Sequence, residues 1–359
     1  MNPFIYNLQY VKEQSQKKLF NVVSLFAGCG GSSTGYRLAG GRVLAINEFV
    51  EHAYHCYSQN YPDTYVFNDD VRNLSGKDIL DKLNLKVGDL DILDGSPPCA
   101  SFSMAGIRED GWGKSKKYSN KIQRVDDLFF EYARILKEIQ PKVFVAENVK
   151  GLTLGSANNI LGSDQMGLFG EEQETIYHTL VNCGYKVRYK ILNAKDYGVP
   201  QQRERLIFIG LRKDIDKAIT FPKPLKDIVT IRNCFENLVN SENELKESQM
   251  SEGKVKEVAY MLKQGESGEK YAKNKYFGLK RPIYDDVCYT ILARQGNKSS
   301  ILHPEETRQL TISEIKRIMS FPDDYYVGEN YVLKCERLGR SVAPLMMKAI
   351  AEHIYTTIL

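Results

Sequence analysis

At 359 residues, with 42% hydrophobic and 26% charged side chains, the chain is long enough for one large or two ordinary globular domains. No apolar run approaches the roughly 18 residues a bilayer crossing needs, and the opening MNPFIYNLQYVKEQSQKK has neither a signal-peptide core nor an Arg-rich transit pattern. Seven scattered cysteines without a C-x-x-C pair argue against a zinc knuckle or disulfide framework and for a reducing cytoplasm, while a net charge of +4 is too mild by itself to announce a nucleic-acid partner.

Short apolar runs alternate with helical patterns through the first half, the βαβ rhythm of a mostly parallel sheet. The first predicted strand, 22–26, runs into VSLFAGCGGSSTG (23–35), a Gly-rich turn that lets backbone N–H groups approach a ligand closely. The second, 43–47, is followed by Glu48, where an acid can accept from ribose hydroxyls. Asp70 follows the third, 65–67. Ser at the last glycine position breaks the G-x-G-x-x-G spacing, which favours an adenosyl cofactor over a dinucleotide. The alternative is a turn that serves packing alone.

The fourth strand, 90–93, leads into DILDGSPPCASFSMAG (91–106), where two prolines present Cys99 at the carboxyl edge of the sheet. A lone cysteine is ordinarily a small buried hydrophobe. Here it precedes a Gly-, Ser- and Lys-rich stretch, and residues 106–119 suit a mobile lid. Lys114, Lys116, Lys117, Lys121 and Arg124 share 111–125 with no acid, a composition that fits phosphate contacts or a solvated loop. A helix is predicted over 126–139 from the spacing of Leu128, Phe129, Tyr132, Ile135, Leu136 and Ile139, stopping before Pro141. The strand at 143–146 ends in FVAENVKG, placing Glu147 on the same edge as a proton donor or acceptor, or as a plain helix cap. Strands at 186–192 and 206–209 follow, the latter preceded by Arg203 and Arg205 in GVPQQRERLIFIG, whose other reading is a salt-bridged sheet edge.

Beyond Gly210 the rhythm is lost. Residues 240–257 read as a polar loop or solvated helix, and 270–284 carry five more basic residues, Arg281 among them, without an acid. Thr311 and Glu314 form a capping box for a helix ending before Phe321-Pro322. Ser341 or Val342 opens the last helix, with Pro344 in its first turn and Leu345, Met346, Ala349, Ile350 and Ile354 on one face.

These segments, in this order, resemble the motifs of the DNA cytosine-5 methyltransferase family: FAGxGG, PC, ENV, QxRxR, then RQLTISEIKRIMSFPDDY (308–325) and LGRSVAP (338–344). The resemblance implies a Rossmann-like α/β domain with a mostly parallel seven-stranded sheet, formed by 1–224 and completed by 335–359. A smaller irregular target-recognition domain and hinge would span 225–334. It implies S-adenosylmethionine as methyl donor and duplex DNA as substrate, a bacterial restriction-modification setting with a cognate endonuclease, and a monomer at the nucleoid. By similarity, Cys99 adds to carbon 6 of a flipped-out cytosine, Glu147 holds the ring nitrogen and amine, Arg205 contacts the carbonyl, and Arg203 supports the thiol and its loop. The cofactor would lie among Phe26, Ala27, Gly28, Gly30, Gly31, Glu48, Phe49, Asp70, Val71, Pro98, Ser341 and Val342. DNA contacts are expected from Ser103, Lys114, Lys116, Lys117, Arg281, Thr290, Arg294 and Gln295, and no metal is expected. Two positions depart from the pattern. Ala100 replaces the usual Gln, and Arg340 replaces the usual Asn; Arg340 either bonds the cofactor carboxylate or, the reading favoured, turns outward to Glu336.

Three other readings stay open on sequence. The family's transfer-RNA branch shares the motifs but carries a Cys-Phe-Thr tripeptide that is absent here. A DNA-binding protein without catalysis would not need Cys99, Glu147 and Arg205 together. A nicotinamide dehydrogenase fails on glycine spacing and has no histidine in any motif.

Overall fold

The computed structural model describes residues 4–98, 116–118, 121–123, 128–150, 176–271, 276, 278–293, 295 and 300–359. Seven strands form one sheet: β1 (Asn21–Leu25), β2 (Arg42–Asn47), β3 (Tyr65–Phe67), β4 (Ile92–Gly95), β5 (Val143–Val149), β6 (Tyr185–Asn193) and β7 (Glu204–Arg212), in the order β3-β2-β1-β4-β5-β7-β6. Each of the seven lies where apolar runs predicted it. Only β7 opposes the others. The order reverses between β1 and β4, so the carboxyl ends of those strands border the crevice where open α/β sheets bind ligands.

Burial explains the composition. The central strands β1, β4 and β5 are buried almost end to end because both faces are covered, and they read as apolar runs broken at buried positions only by Ser24, Asp94, Glu147 and Asn148. The edge strand β6 instead alternates, with Tyr185 and Val187 inward and Lys186, Arg188 and Lys190 in water, which also discourages edge pairing.

Helices α1 (Leu8–Ser15), α2 (Gly31–Leu38) and α3 (Glu51–Asn60) lie on one face, and α4 (Gly76–Leu83), α5 (Leu128–Ile139) and α6 (Ile176–Asn182) on the other. All six apolar positions predicted for α5 are buried, each contributing roughly 1.5–3 kcal/mol. Its Tyr132 hydroxyl donates to the carbonyls of Leu93 and Val145, locking the helix across β4 and β5.

The chain then passes through α7 (Ile231–Phe235), α8 (Glu242–Glu247), α9 (Lys254–Met261), α10 (Ile312–Ile318) and α11 (Tyr331–Arg340). The capping box of Thr311 and Glu314 opens α10 as its sequence demands. Residues 240–257 hold α8 and the start of α9 where a loop or solvated helix was expected. Met250, Val258, Ala259, Leu262, Leu279 and Leu302 form a small core of their own. Finally α12 (Pro344–Thr357) returns to pack on α2. It starts at Pro344, later than the expected Ser341 or Val342, because a residue before proline is pushed out of the helical region. Among the described residues no helix is long and apolar enough to cross a membrane.

Candidate active site

The turn after β1 is wound by three left-handed residues, Phe26, Gly28 and Gly30, with φ of 56°, 56° and 94°. Gly30 begins α2, and a Cβ there would lie 2.6 Å from the Tyr325 hydroxyl. That hydroxyl donates to the Cys29 carbonyl, so a side chain from the second half of the protein braces the turn. At Gly28 the outer side is open, with nothing within 4 Å of a would-be Cβ.

Glu48 is buried and spans the turn. One carboxylate oxygen accepts from Gly28 N–H at 2.8 Å and the other from Val50 N–H at 2.7 Å. Burial pushes its pKa up, and these N–H groups pull it back. Asn47, also buried, donates to the carbonyls of Phe67 and Asp69 at 3.0 and 2.9 Å, fastening the end of β3 beside the end of β2. Asp70 then caps the short turn Val71–Asn73 and pairs with Arg72 at 3.0 Å. Ala27, Phe49 and Pro98 are half-buried around the same edge, and Val71 is buried behind it. Ser341 and Val342 reach it from the end of α11, close enough that a Cβ on Gly31 would meet the Val342 carbonyl oxygen at 2.1 Å. The twelve expected cofactor residues are thus gathered at the carboxyl ends of four adjacent strands. An open glycine cradle beside a buried carboxylate and two half-buried aromatic rings fits an adenosyl group with a polar tail.

On the other side of the crevice Glu147 pairs across the sheet with Ile207, and Val149 with Arg205. The Arg205 Nε lies 2.8 Å from Glu147 Oε1, with the two side chains only 14% and 10% exposed. Burial lowers the Arg205 pKa and Glu147 opposes that shift. Such a pair presents a fixed donor and acceptor side by side at the sheet edge. Asn148 donates to the Pro97 carbonyl at 3.3 Å, pinning the proline turn two residues ahead of position 99.

Cys99, Ala100, Ser103, Lys114 and Arg294 lie outside the described residues, as does nearly all of the expected lid at 106–119. Lys116 and Lys117 are described in backbone only, as one strand (Lys116–Tyr118) of a small hairpin with Lys121–Gln123.

Arg203 is 1% exposed and donates to the carbonyls of Ile291, Gly339 and Ser341 at 3.1, 2.9 and 2.7 Å. Two expected readout residues must be corrected. Arg281 is buried, and its guanidinium donates to the carbonyls of Leu262, His303, Glu306 and Ala259, leaving no face for a base. Gln295 is also buried, exchanging hydrogen bonds with the backbone of Ile301. Both close a fold that has too few regular backbone partners of its own. Thr290 is half-exposed, with its hydroxyl donating to the Gln202 carbonyl at 2.6 Å. Arg340 turns to Glu336 at 3.0 Å, as expected.

Asn47, Asp94, Asn148 and Tyr325 were missed. Asp94 is 1% exposed, accepting from Ser24 at 2.6 Å and Tyr36 at 3.1 Å, and burial pushes its carboxyl up to about 7 against those two bonds. Asn148 and Tyr325 stand inside quoted motifs, so their positions were visible though their partners were not.

Comparison with known proteins bears on this geometry. The sequence profile described as C-5 cytosine-specific DNA methylase matches residues 20–356. The chain is 33% identical to the Type II methyltransferase M1.HphI of Haemophilus parahaemolyticus, covering 92% of this chain and 86% of that protein. It is 28% identical to the Type II methyltransferase M.NgoPII of Neisseria gonorrhoeae, covering 94% and 96%. Among solved structures, a prophage-encoded protein of Escherichia coli described as a DNA modification methyltransferase superposes with a TM-score of 0.72 at 22% identity, covering 94% of this chain and 99% of that one.

Proposed function

The chain belongs to the C-5 cytosine-specific DNA methylase family, and on that premise we propose which of its residues carry the reaction. It is a DNA cytosine-5 methyltransferase that uses S-adenosylmethionine. That donor supplies an electrophilic methyl carbon, and the protein must make carbon 5 of cytosine nucleophilic enough to take it. The Cys99 thiolate adds to carbon 6, which moves electron density to carbon 5. Glu147 holds ring nitrogen 3 and the exocyclic amine, and Arg205 holds the carbonyl oxygen. Carbon 5 would then take the methyl carbon as that carbon's bond to the donor sulfonium breaks, the electron pair staying on sulfur and S-adenosylhomocysteine leaving as the product. Loss of the carbon 5 proton and departure of the Cys99 sulfur restore the aromatic ring. A paired base cannot reach an edge-on pocket, so the cytosine is flipped out of the duplex.

The observation that supports these roles most is the Glu147–Arg205 pair at the sheet edge, with the adjacent Asn148 holding the carbonyl of Pro97, which precedes Cys99 by two positions in the chain. Glu48, the glycine turn, Asp70 and Ser341–Val342 hold the donor. Residues 1–224 with 335–359 form the catalytic domain, and 225–334 form the target-recognition domain and hinge. Type II relatives support a restriction-modification role with a cognate endonuclease. The enzyme acts as a monomer on duplex DNA in the bacterial cytoplasm.

The test is Cys99→Ala together with DNA carrying 5-fluorocytosine. The wild type should trap a covalent adduct because fluorine cannot leave as a proton. Cys99→Ala should bind DNA yet neither methylate nor trap, since phosphate contacts and base readout lie elsewhere. Methylation by Cys99→Ala would overturn the mechanism.

A further inference from the structure

We propose that Arg203 and Gly339 couple cofactor binding to target binding by joining segment 288–293 to the Ser341–Val342 stretch that closes on the glycine turn. The inference rests on reading 225–334 as the target-recognition part.

The segment is fastened to the approach to β7. Cys288 exchanges backbone hydrogen bonds with Pro200 and Gln202 at 2.9 and 2.8 Å. The Ile291 N–H then donates to the side-chain Oε1 of Gln201 at 3.0 Å, and the Ile291 carbonyl accepts from Arg203 at 3.1 Å. Thr290 and Leu292 remain partly open to solvent on this segment, Leu292 by 38%.

The same guanidinium continues to Gly339 and Ser341. It therefore spans two segments remote in sequence, which needs a rigid planar fork and which a lysine cannot imitate. Among the described residues no carboxylate pairs with it, and its Nε is buried without a partner. A buried cation satisfied only by carbonyls is costly whenever one of them withdraws. The state with both segments seated is thereby favoured over either half-seated state.

A second, independent contact makes the same connection. A Cβ on Gly339 would lie 2.4 Å from the Leu292 carbonyl carbon and 2.6 Å from Ala293 N, so the last turn of α11 rests directly on the segment's backbone. Three residues on, Val342 rests in the same way on Gly31, and the Ser341 hydroxyl meets the Cys29 sulfur at 3.3 Å. From Leu292 to Gly31 the path runs through backbone and buried hydrogen bonds, with no long side chain to absorb a displacement. Close-packed contacts of this kind transmit small shifts rather than damping them. A duplex that seats 288–293 thus also seats the wall of the cofactor cradle, and the cofactor does the converse.

Coupling is reciprocal and can be measured without turnover. In a Cys99→Ala background, the dissociation constants of S-adenosylhomocysteine and of a cognate duplex are each measured with and without the other ligand. The parent should show the same factor in both directions, about tenfold, or roughly 1.4 kcal/mol. Arg203→Lys and Gly339→Ala should each bring the factor to about two or less. Arg281→Lys, which loosens a buried arginine of the same half that does not reach the cofactor wall, should keep it. A factor of one in the parent overturns the inference without any variant. It is equally overturned if Arg203→Lys keeps the parent's factor, or if Arg281→Lys loses it too. Should Gly339→Ala fail to fold, Arg203→Lys and the parent decide. Failure here with methylation intact in the Cys99 protein leaves the functional reading standing, whereas absent methylation removes that reading first.

Discussion

Arg281 is buried and Arg205 mostly so, and the two regions that hold them use them oppositely. At the carboxyl edge of the sheet Arg205 meets a carboxylate, Glu147, and the pair faces the crevice. In the part that follows the sheet, Arg281 meets four backbone carbonyls and faces nothing else. The sheet satisfies its own backbone by strand pairing, so a buried charge there is free to serve a ligand. Among its described residues the later region has short helices and isolated bridges in place of strand ladders, and long polar side chains satisfy the backbone there. A buried arginine is therefore a site marker only where regular structure already satisfies the backbone around it.

The contrast is most severely tested by breaking the pair at the crevice. Arg205→Met leaves the Glu147 carboxylate buried without its cation and should cost about 3–5 kcal/mol in urea unfolding. Glu147→Gln should preserve most of that stability yet lower the methylation rate by about 10²–10⁴. If instead Glu147→Gln methylated normally, the crevice pair would be as structural as Arg281.

Arg281→Ala probes the other side. It should destabilise by about 2–4 kcal/mol through orphaned carbonyls, while bisulfite sequencing of host plasmid returns the wild-type pattern of modified sites. A changed site preference with unchanged stability would restore Arg281 as a readout residue and dissolve the comparison.

Asp94 sharpens the contrast, being an acid in the sheet region with no cationic partner in its hydrogen-bonding shell. Its folded pKa of about 7 stands above the ordinary carboxylate value because of burial. The folded state then holds a proton that the unfolded state releases between about pH 4 and 7. Stability should therefore fall as pH rises through that window, and the loss should be complete above it. Asp94→Asn should flatten this fall, measured as the difference in Tm between pH 5.5 and pH 8. An undiminished slope would place the titration elsewhere.

The smallest effect is expected at Arg340. Its partner is Glu336, one turn earlier on α11 and partly exposed, a type of pair that contributes about 0–1 kcal/mol. Arg340→Asn should change the S-adenosylhomocysteine dissociation constant by less than about twofold. A tenfold loss would make Arg340 a cofactor ligand.

Local chemistry determined much of this protein by itself. Apolar runs located all seven strands, helical spacing located α5, Thr311 with Glu314 opened α10, and the broken glycine spacing pointed to an adenosyl cofactor. Each depends on residues near one another in sequence, where strand or helix period and capping act. The strand order, the Tyr325 brace on the glycine turn, the Asn47 clasp and the fates of Arg203, Arg281 and Gln295 were decided only by tertiary structure. A basic stretch without acids, such as 270–284, reads as a surface for phosphate because its charges have no local partner. Whether such a charge faces water or is drawn inside depends on where carbonyls from distant segments converge, and that is a property of the folded chain alone.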